Sequence, residues 1–146
     1  MILQYDWGTP LYDLSIDLRY KILREPLGLK FDKDSLEKET NCLHFGVFGE
    51  CYNILACLYL VPEKEGLHLK QMAVDTPFQR KGLGKKLIDD VENTMLCLGF
   101  DSIFMHARKT AIGFYEKLGY TKIGEEFEEV GIPHYKMLKK ITAKRI

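Results

Sequence analysis

The residues best placed to do chemistry lie in the stretch Gln71 to Leu98, QMAVDTPFQRKGLGKKLIDDVENTMLCL. The apolar run Met72-Ala73-Val74 breaks at Asp75-Thr76-Pro77, where proline removes a ladder donor and pushes the preceding residue out of helical space, so a strand ends there. Gln79-Arg80-Lys81-Gly82-Leu83-Gly84 then leads into a run whose Gly84, Leu87, Ile88, Val91, Met95 and Leu98 fall three or four apart, the spacing of an amphipathic helix. Glycines there let backbone N–H groups approach a ligand closely. The first helical turn favours an anion, and Arg80, Lys81, Lys85 and Lys86 add positive charge. The physical reading is a phosphate cradle, against the plainer one of a strand, turn and helix with solvated lysines.

Spacing limits which cradle this is. A P-loop requires GxxxxGK followed by serine or threonine, whereas Lys85 is followed by Lys86, with no hydroxyl to hold magnesium. The dinucleotide fingerprint GxGxxG lacks its third glycine, because the position after Lys86 is Leu87. An ATP-binding reading of the same loop therefore has no magnesium ligand pattern behind it.

Two segments do match one pattern. Gln79-x-x-Gly82-x-Gly84, preceded by Val74-Asp75-x-Pro77, resembles the R/Q-x-x-G-x-G/A pyrophosphate loop of the GNAT acyltransferase superfamily. Downstream, Ala111-Ile112-Gly113-Phe114-Tyr115-Glu116-Lys117-Leu118-Gly119-Tyr120 is similar to that family's AIxFYEKLGF helix. The resemblance is strongest from Met72 to Tyr120, and Pro26-Leu27-Gly28, His106-Ala107-Arg108 and Gly131-Ile132-Pro133-His134 are similar to a bacterial subgroup of uncharacterised members. It implies an acyl-CoA-dependent N-acyltransferase moving acetyl from acetyl-CoA to a primary amine by direct attack in a ternary complex. Coenzyme A is then expected on Met72, Ala73, Val74, Gln79, Arg80, Lys81, Gly82, Leu83, Gly84 and Lys85, with Arg108 and Phe114 completing the set. Arg108 stands where many members carry an asparagine that contacts pantetheine, so it is expected to reach phosphate instead.

An amine attacking a thioester must be neutral, its carbonyl partner must be polarised, and the departing thiolate needs an acid. By resemblance, the backbone of Met72 and Val74 holds pantetheine and Tyr115 faces the sulfur as general acid; a phenol, with a pKa of about 10, stays protonated at neutral pH and can donate. Many members place a glutamate on the strand before the loop, but Leu67-His68-Leu69-Lys70-Gln71-Met72 contains none. His134 is the candidate to accept a proton or bind substrate, with Glu126, Glu128 and Glu129 as partners for a cationic amine. His106 reads as a strand residue beside the cleft, and His44 and His68 as ordinary strand positions. The missing glutamate and Arg108 also keep open a non-catalytic acyl-CoA sensor on the same fold.

Positioning these groups requires a particular order of elements. Met1 to Tyr5 reads as a strand, and Thr9-Pro10 as a cap with proline at the first helical position. The helix carries Leu11, Leu14, Leu18 and Ile22 on one face and Arg19, Lys21 and Arg24 on the other, stopping at Glu25-Pro26-Leu27-Gly28. A short helix from Asp34, strands at His44 to Phe48 and Asn53 to Val61, and a turn at Pro62 to Gly66 into Leu67 to Val74 give an antiparallel meander. After the long helix, Ser102 to Ala107 returns by crossover to lie parallel to an earlier strand, and Thr110 to Leu118 is helical. Strands from Tyr120 to about Phe127 and from His134 to Lys140 close the chain. The expected fold class is α/β (α+β), a GNAT-type mixed, mostly antiparallel twisted sheet of about seven strands with about four helices, in the order β-αα-βββ-α-β-α-ββ.

Composition bounds the rest. At 146 residues, 46% hydrophobic and 29% charged, the chain reads as one domain, residues 1–146, with a sizeable core. Twenty-one basic residues balance twenty-one acidic ones, so no global field recruits nucleic acid or membrane and any anion site must be local. No apolar run is long enough to span a bilayer, and Asp6 interrupts any amino-terminal signal, so a cytoplasmic protein is expected. Cys42, Cys51, Cys57 and Cys97 form no CxxC pair and no zinc spacing; no metal is expected, and Cys42, Cys57 and Cys97 are read as small buried hydrophobes. The expected partners are acyl-CoA and an amine, with the acceptor chosen by Leu23 to Lys38 and a Phe127 to Tyr135 loop, in a monomer or homodimer. Only the basic tail Thr142 to Ile146 is expected to be loose.

Overall fold

A computed structural model describes residues 1–142; residues 143–146, most of the tail expected to be loose, lie outside the described residues. Seven strands, β1 (Ile2–Tyr5), β2 (Leu43–Phe48), β3 (Ile54–Glu63), β4 (Gly66–Val74), β5 (Ser102–Arg108), β6 (Thr121–Glu129) and β7 (Ile132–Lys140), are hydrogen-bonded in the order β1-β2-β3-β4-β5-β7-β6. The four α-helices are α1 (Pro10–Arg19), α2 (Lys33–Glu37), α3 (Leu83–Cys97) and α4 (Ile112–Lys117). The β4–β5 pair is parallel, as a helical crossover requires, while β1–β2, β2–β3, β5–β7 and β6–β7 are antiparallel. This is the mixed sheet and element order expected from the sequence. The turn before β4 is tighter than expected, since β3 runs through Pro62 to Glu63.

The chain divides into two compact units, one of Met1–Val61 with Gln71–Val91 and one of Pro62–Lys70 with the chain from Glu92 onward. In the first unit, the Thr9 hydroxyl accepts from the Tyr12 amide at 3.4 Å and Pro10 occupies the first turn of α1. The helix loosens into a π turn over Tyr20–Arg24 and a 3-10 turn over Glu25–Leu27, and stops at Gly28 with φ 68°. Tyr5, Tyr12 and Phe48 form one apolar cluster and Leu18, Cys57 and Ala73 another.

The expected polar face of α1 is wrong at Arg19, which is 1% exposed. Its NH1 and NH2 donate to the two carboxylate oxygens of Glu39 at 2.8 and 2.7 Å, and Tyr12 donates to the same carboxylate at 2.9 Å. The guanidinium also lies over the rings of Phe31 and Tyr59 at 5.0 and 4.9 Å. Burial pulls its pKa down, but the Glu39 hydrogen bonds and charge outweigh that and hold it above its usual value. Helical periodicity sees only that an arginine is polar; the partner twenty residues on is what lets it go inside.

Other expectations shift by less. Cys57 is buried, and burial pushes its thiol up to about 12, but Cys97 is exposed and Cys42 half-buried. Leu98 falls beyond the end of α3 and is 62% exposed, so the helix's apolar stripe ends at Met95.

In the second unit, all seven residues of β5 pair with β7, placing His106 opposite Lys136 and Arg108 opposite His134. Glu92 is buried, accepting from Tyr120 Oη at 2.9 Å and Lys139 Nζ at 2.8 Å. The expected Phe127 to Tyr135 loop is mostly strand. Val130 and Gly131, at φ 48° and 74°, form the whole connection between β6 and β7. Two successive positive φ values make a mirror-image turn that matches the strands' twist, and this overrides the valine's preference for extended backbone.

Candidate active site

In the first unit, the predicted donor residues run from the end of β4 into α3. Gln71 leaves the extended region at φ 48°, two residues past Leu69, the last residue in parallel register with β5. Arg19 Nε donates to Gln71 Oε1 at 2.9 Å, so the buried arginine also fixes the residue where β4 bends. Met72 and Val74 are half-buried and Ala73 is buried.

Beyond the strand, the Asp75 amide donates to the Leu55 carbonyl at 2.8 Å, and the Asp75 carboxylate accepts from the Thr76 amide at 2.9 Å and Lys21 at 2.8 Å. After one 3-10 turn at Thr76–Phe78, Gln79 Nε2 donates to the Val74 carbonyl at 2.9 Å and folds the loop back onto the strand end. Spacing marks Gln79 as part of the motif; the structure gives its side chain a job within the loop. Arg80 and Gly82 take φ values of 62° and 81°, and space is open where a side chain at Gly82 would stand. The Lys86 amide donates to the Gly82 carbonyl at 3.1 Å, starting the helix. Arg80, Lys81, Lys85 and Lys86 are exposed, Leu83 half-buried and Gly84 buried, with Lys85 paired to Asp89 at 3.0 Å. The segment thus presents positive side chains and helix-start amides on a loop fastened at both ends, suited to an anion.

In the second unit, Tyr115 on α4 is 7% exposed, and burial raises its phenol above the usual range. Its ring meets Phe114 edge-on at 5.1 Å and Tyr120 at 5.8 Å, and Phe114 itself is 39% exposed. Arg108 ends β5. Glu126 pairs with Lys109 at 3.0 Å, an exposed contact that raises the lysine.

His134 is buried, its Nδ1 2.7 Å from the Ile132 carbonyl and its Nε2 3.7 Å from Glu129 Oε2. The other oxygen of Glu129 lies 3.0 Å from His106 Nδ1, so one carboxylate serves both imidazoles. His68 is more than an ordinary strand position. It stacks on Phe104 at 4.4 Å, lies 4.8 Å from the His106 ring, and meets Glu63 at 3.3 Å. Burial, together with Lys70, lowers its pKa to about 4. His44, also buried, places Nε2 3.0 Å from the Glu39 carbonyl, and burial lowers its pKa.

A concavity of about 370 Å³ in the first unit is lined by Trp7, Tyr12, Asp13, Ile16, Leu36 and neighbours, and holds none of the predicted donor residues. Among the described residues, no three His, Cys, Asp or Glu side chains are grouped to hold a metal ion, and no helix is long and apolar enough to cross a membrane.

The model of the acetyltransferase (GNAT) domain matches residues 33–141. A Bacillus subtilis protein described as a candidate acetyltransferase is 31% identical over 133 residues, covering 86% of each chain. The uncharacterised B. subtilis protein YyaT is 39% identical over 74 residues, which span half of that relative's length and 51% of this chain. Among solved structures, a candidate N-acetyltransferase from Lactobacillus plantarum superposes with a TM-score of 0.86 at 20% identity, covering 97% of this chain and 98% of that one. An aminoglycoside 6′-N-acetyltransferase complexed with coenzyme A superposes with a TM-score of 0.80 at 17% identity, covering 100% and 99%. At these identities the superpositions speak to the fold.

Proposed function

Because the chain belongs to the acetyltransferase (GNAT) family, we propose that it transfers an acetyl group from acetyl-CoA to a primary amine by direct attack in a ternary complex. The observation that carries this reading is the β4–α3 connection, where Gln79 ties the loop to Val74 and Gly82 leaves open space beside the helix-start amides. Coenzyme A is a polyanion, and the chain's net charge of zero leaves Arg80, Lys81, Lys85 and Lys86 as a local attraction for it. Met72 and Val74 would give backbone hydrogen bonds to the pantetheine arm, and Arg108 and Phe114 are further residues proposed to contact coenzyme A.

Tyr115 is proposed to face the leaving sulfur. Its raised pKa keeps the phenol protonated at any working pH. It also limits what the phenol can do, since a thiol of pKa about 8.5 is the stronger acid and full proton transfer to a thiolate runs uphill. Tyr115 therefore acts by donating a hydrogen bond as charge develops on sulfur, the sulfur's final proton coming by exchange with solvent. The acceptor is proposed to be selected by residues 23–38, part of which lines the Trp7 concavity.

Calorimetric titration with acetyl-CoA tests the donor half, and absence of binding at millimolar ligand refutes it. Tyr115→Phe should lower turnover by about tenfold or more and leave acetyl-CoA affinity within about twofold. Unchanged turnover removes Tyr115 from the chemistry. Thiol release with an amine panel separates an enzyme from an acyl-CoA sensor, which binds and releases nothing.

A further inference from the structure

Acetyl transfer to an amine needs a group that takes the acceptor's proton, and no carboxylate lies along Leu67–Val74 of β4. Building on the transfer reading above, we propose that His106 is the general base, with Glu129 fixing its tautomer and orientation and the His134 ring held on the other side of that carboxylate. The carboxylate of Glu129 can only accept, so at 3.0 Å it fixes the proton of neutral His106 on Nδ1 and leaves the lone pair on Nε2. The His106 side chain is 33% exposed, which gives an acceptor access to that nitrogen.

The support around the pair is built from three strands. His134 Nδ1 donates to the Ile132 carbonyl at 2.7 Å, holding its ring with Nε2 toward Glu129. Phe127 meets His106 edge-on at 5.1 Å and stacks on His134 at 5.9 Å. The remaining charges facing His106 are few. His68 on β4, whose ring is 4.8 Å away, is kept neutral by burial and Lys70. Lys136, opposite on β7, is paired with Glu65 at 2.6 Å and sits over Phe104. Arg108 lies two residues along the same strand. Glu129 is therefore the carboxylate in direct contact with the imidazolium when His106 gains a proton, with Glu65 acting on it from farther off.

In the step proposed, an alkylammonium passes one N–H proton to His106 Nε2, an uphill transfer that the attack on the thioester draws forward, and becomes a neutral amine. Its nitrogen lone pair then forms the bond to the acyl carbon while the carbon–sulfur bond breaks and its electron pair leaves on sulfur. The second proton lost by nitrogen balances the one gained by sulfur, and His106 returns its proton to solvent.

The test compares wild type, His106→Gln and Glu129→Gln by thiol release from acetyl-CoA with primary alkylamines and with hydroxylamine, across pH. Hydroxylamine is already neutral at neutral pH and needs no base to prepare it. His106→Gln should lower kcat for alkylamines by about tenfold or more at neutral pH, spare hydroxylamine, and recover as pH rises toward the amine's own ionisation. Glu129→Gln should show the same pattern with a smaller loss, which keeps the proposal falsifiable if His106→Gln does not fold. An alkylamine pH profile unchanged by either variant, an equal loss with both nucleophiles, or no alkylamine turnover by wild type that binds acetyl-CoA overturns the base assignment. Failure of wild type to bind acetyl-CoA instead sinks the transfer reading itself.

Discussion

Arg19–Glu39 in the first unit and His106–Glu129–His134 in the second are both carboxylates shared between neighbours, yet they differ in saturation and exposure. Glu39 is gripped by a two-pronged guanidinium and a tyrosine hydroxyl, with the Arg19 and Glu39 side chains 2% and 6% exposed. Glu129 is 46% exposed, close to His106 at 3.0 Å and farther from His134 at 3.7 Å. An arginine cannot give up its proton, so the first arrangement has one protonation state and serves geometry. Imidazoles near a half-solvated carboxylate have several, so the second is suited to moving a proton. The first has the geometry of a structural pair, and the second is the one to which the proposed proton transfer is assigned.

The comparison breaks most sharply at Glu39. Glu39→Ala leaves a guanidinium buried without its counter-ion and should cost about 3–5 kcal/mol in denaturant unfolding. Replacing both partners, Arg19→Met with Glu39→Leu, should cost less than that single change, because no charge is then stranded. A larger loss in the double variant would show that the pair contributes more than mutual neutralisation.

A pH titration of stability comes next. His68 is neutral in the folded chain down to about pH 4, whereas an unfolded histidine charges near 6.5. Between those values the unfolded state binds more protons, so stability is present in full above about 6.5 and is lost as pH falls toward about 4, a contribution of order 3 kcal/mol at most. His68→Gln should remove that part of the acid slope in unfolding measured across pH, while His44, also lowered by burial, leaves a residual slope of the same sign. An unchanged slope would mean that His68 is solvated when protonated.

Glu129→Gln should do the reverse of Glu39→Ala, lowering alkylamine turnover severalfold, less than His106→Gln does, with unfolding free energy within about 0.5 kcal/mol of wild type. A large stability loss would make the cluster structural and erase the contrast. The smallest effect belongs to the β6–β7 turn in the same unit. Val130→Asn should stabilise by about 0.5–1 kcal/mol, read from the denaturant midpoint, because asparagine tolerates the positive φ that valine resists.

Much of this molecule is legible in its sequence because the signals are local. Thr9-Pro10, the apolar periodicity from Gly84 to Met95, Gly28 and the loop glycine Gly82 each act within a few residues of themselves. What escapes is pairing across distance. Arg19 is misplaced because Glu39 lies twenty positions away, and the proximity of His68, His106 and Glu129 depends on a parallel pairing, a strand order of β5-β7-β6 and a register. The Val130-Gly131 turn escapes for the opposite reason, since a β-branched residue at positive φ contradicts the local preference that sequence reading relies on.

The end strand β6 has a consequence for the company the protein keeps. Its ladder to β7 is interrupted between Ile123 and Phe127, Gly124 stands at φ 77°, and Glu125, Glu126, Glu128 and Glu129 crowd the same stretch. An open edge is a template on which a neighbouring polypeptide can add a strand, and kinks and like charges spoil that template. A second copy laid alongside would have to match an irregular spacing and bring carboxylates against carboxylates. The strand that presents a glutamate to two histidines therefore also discourages sticky association at high concentration, so substitutions that neutralise its glutamates should be judged for solubility as well as for turnover.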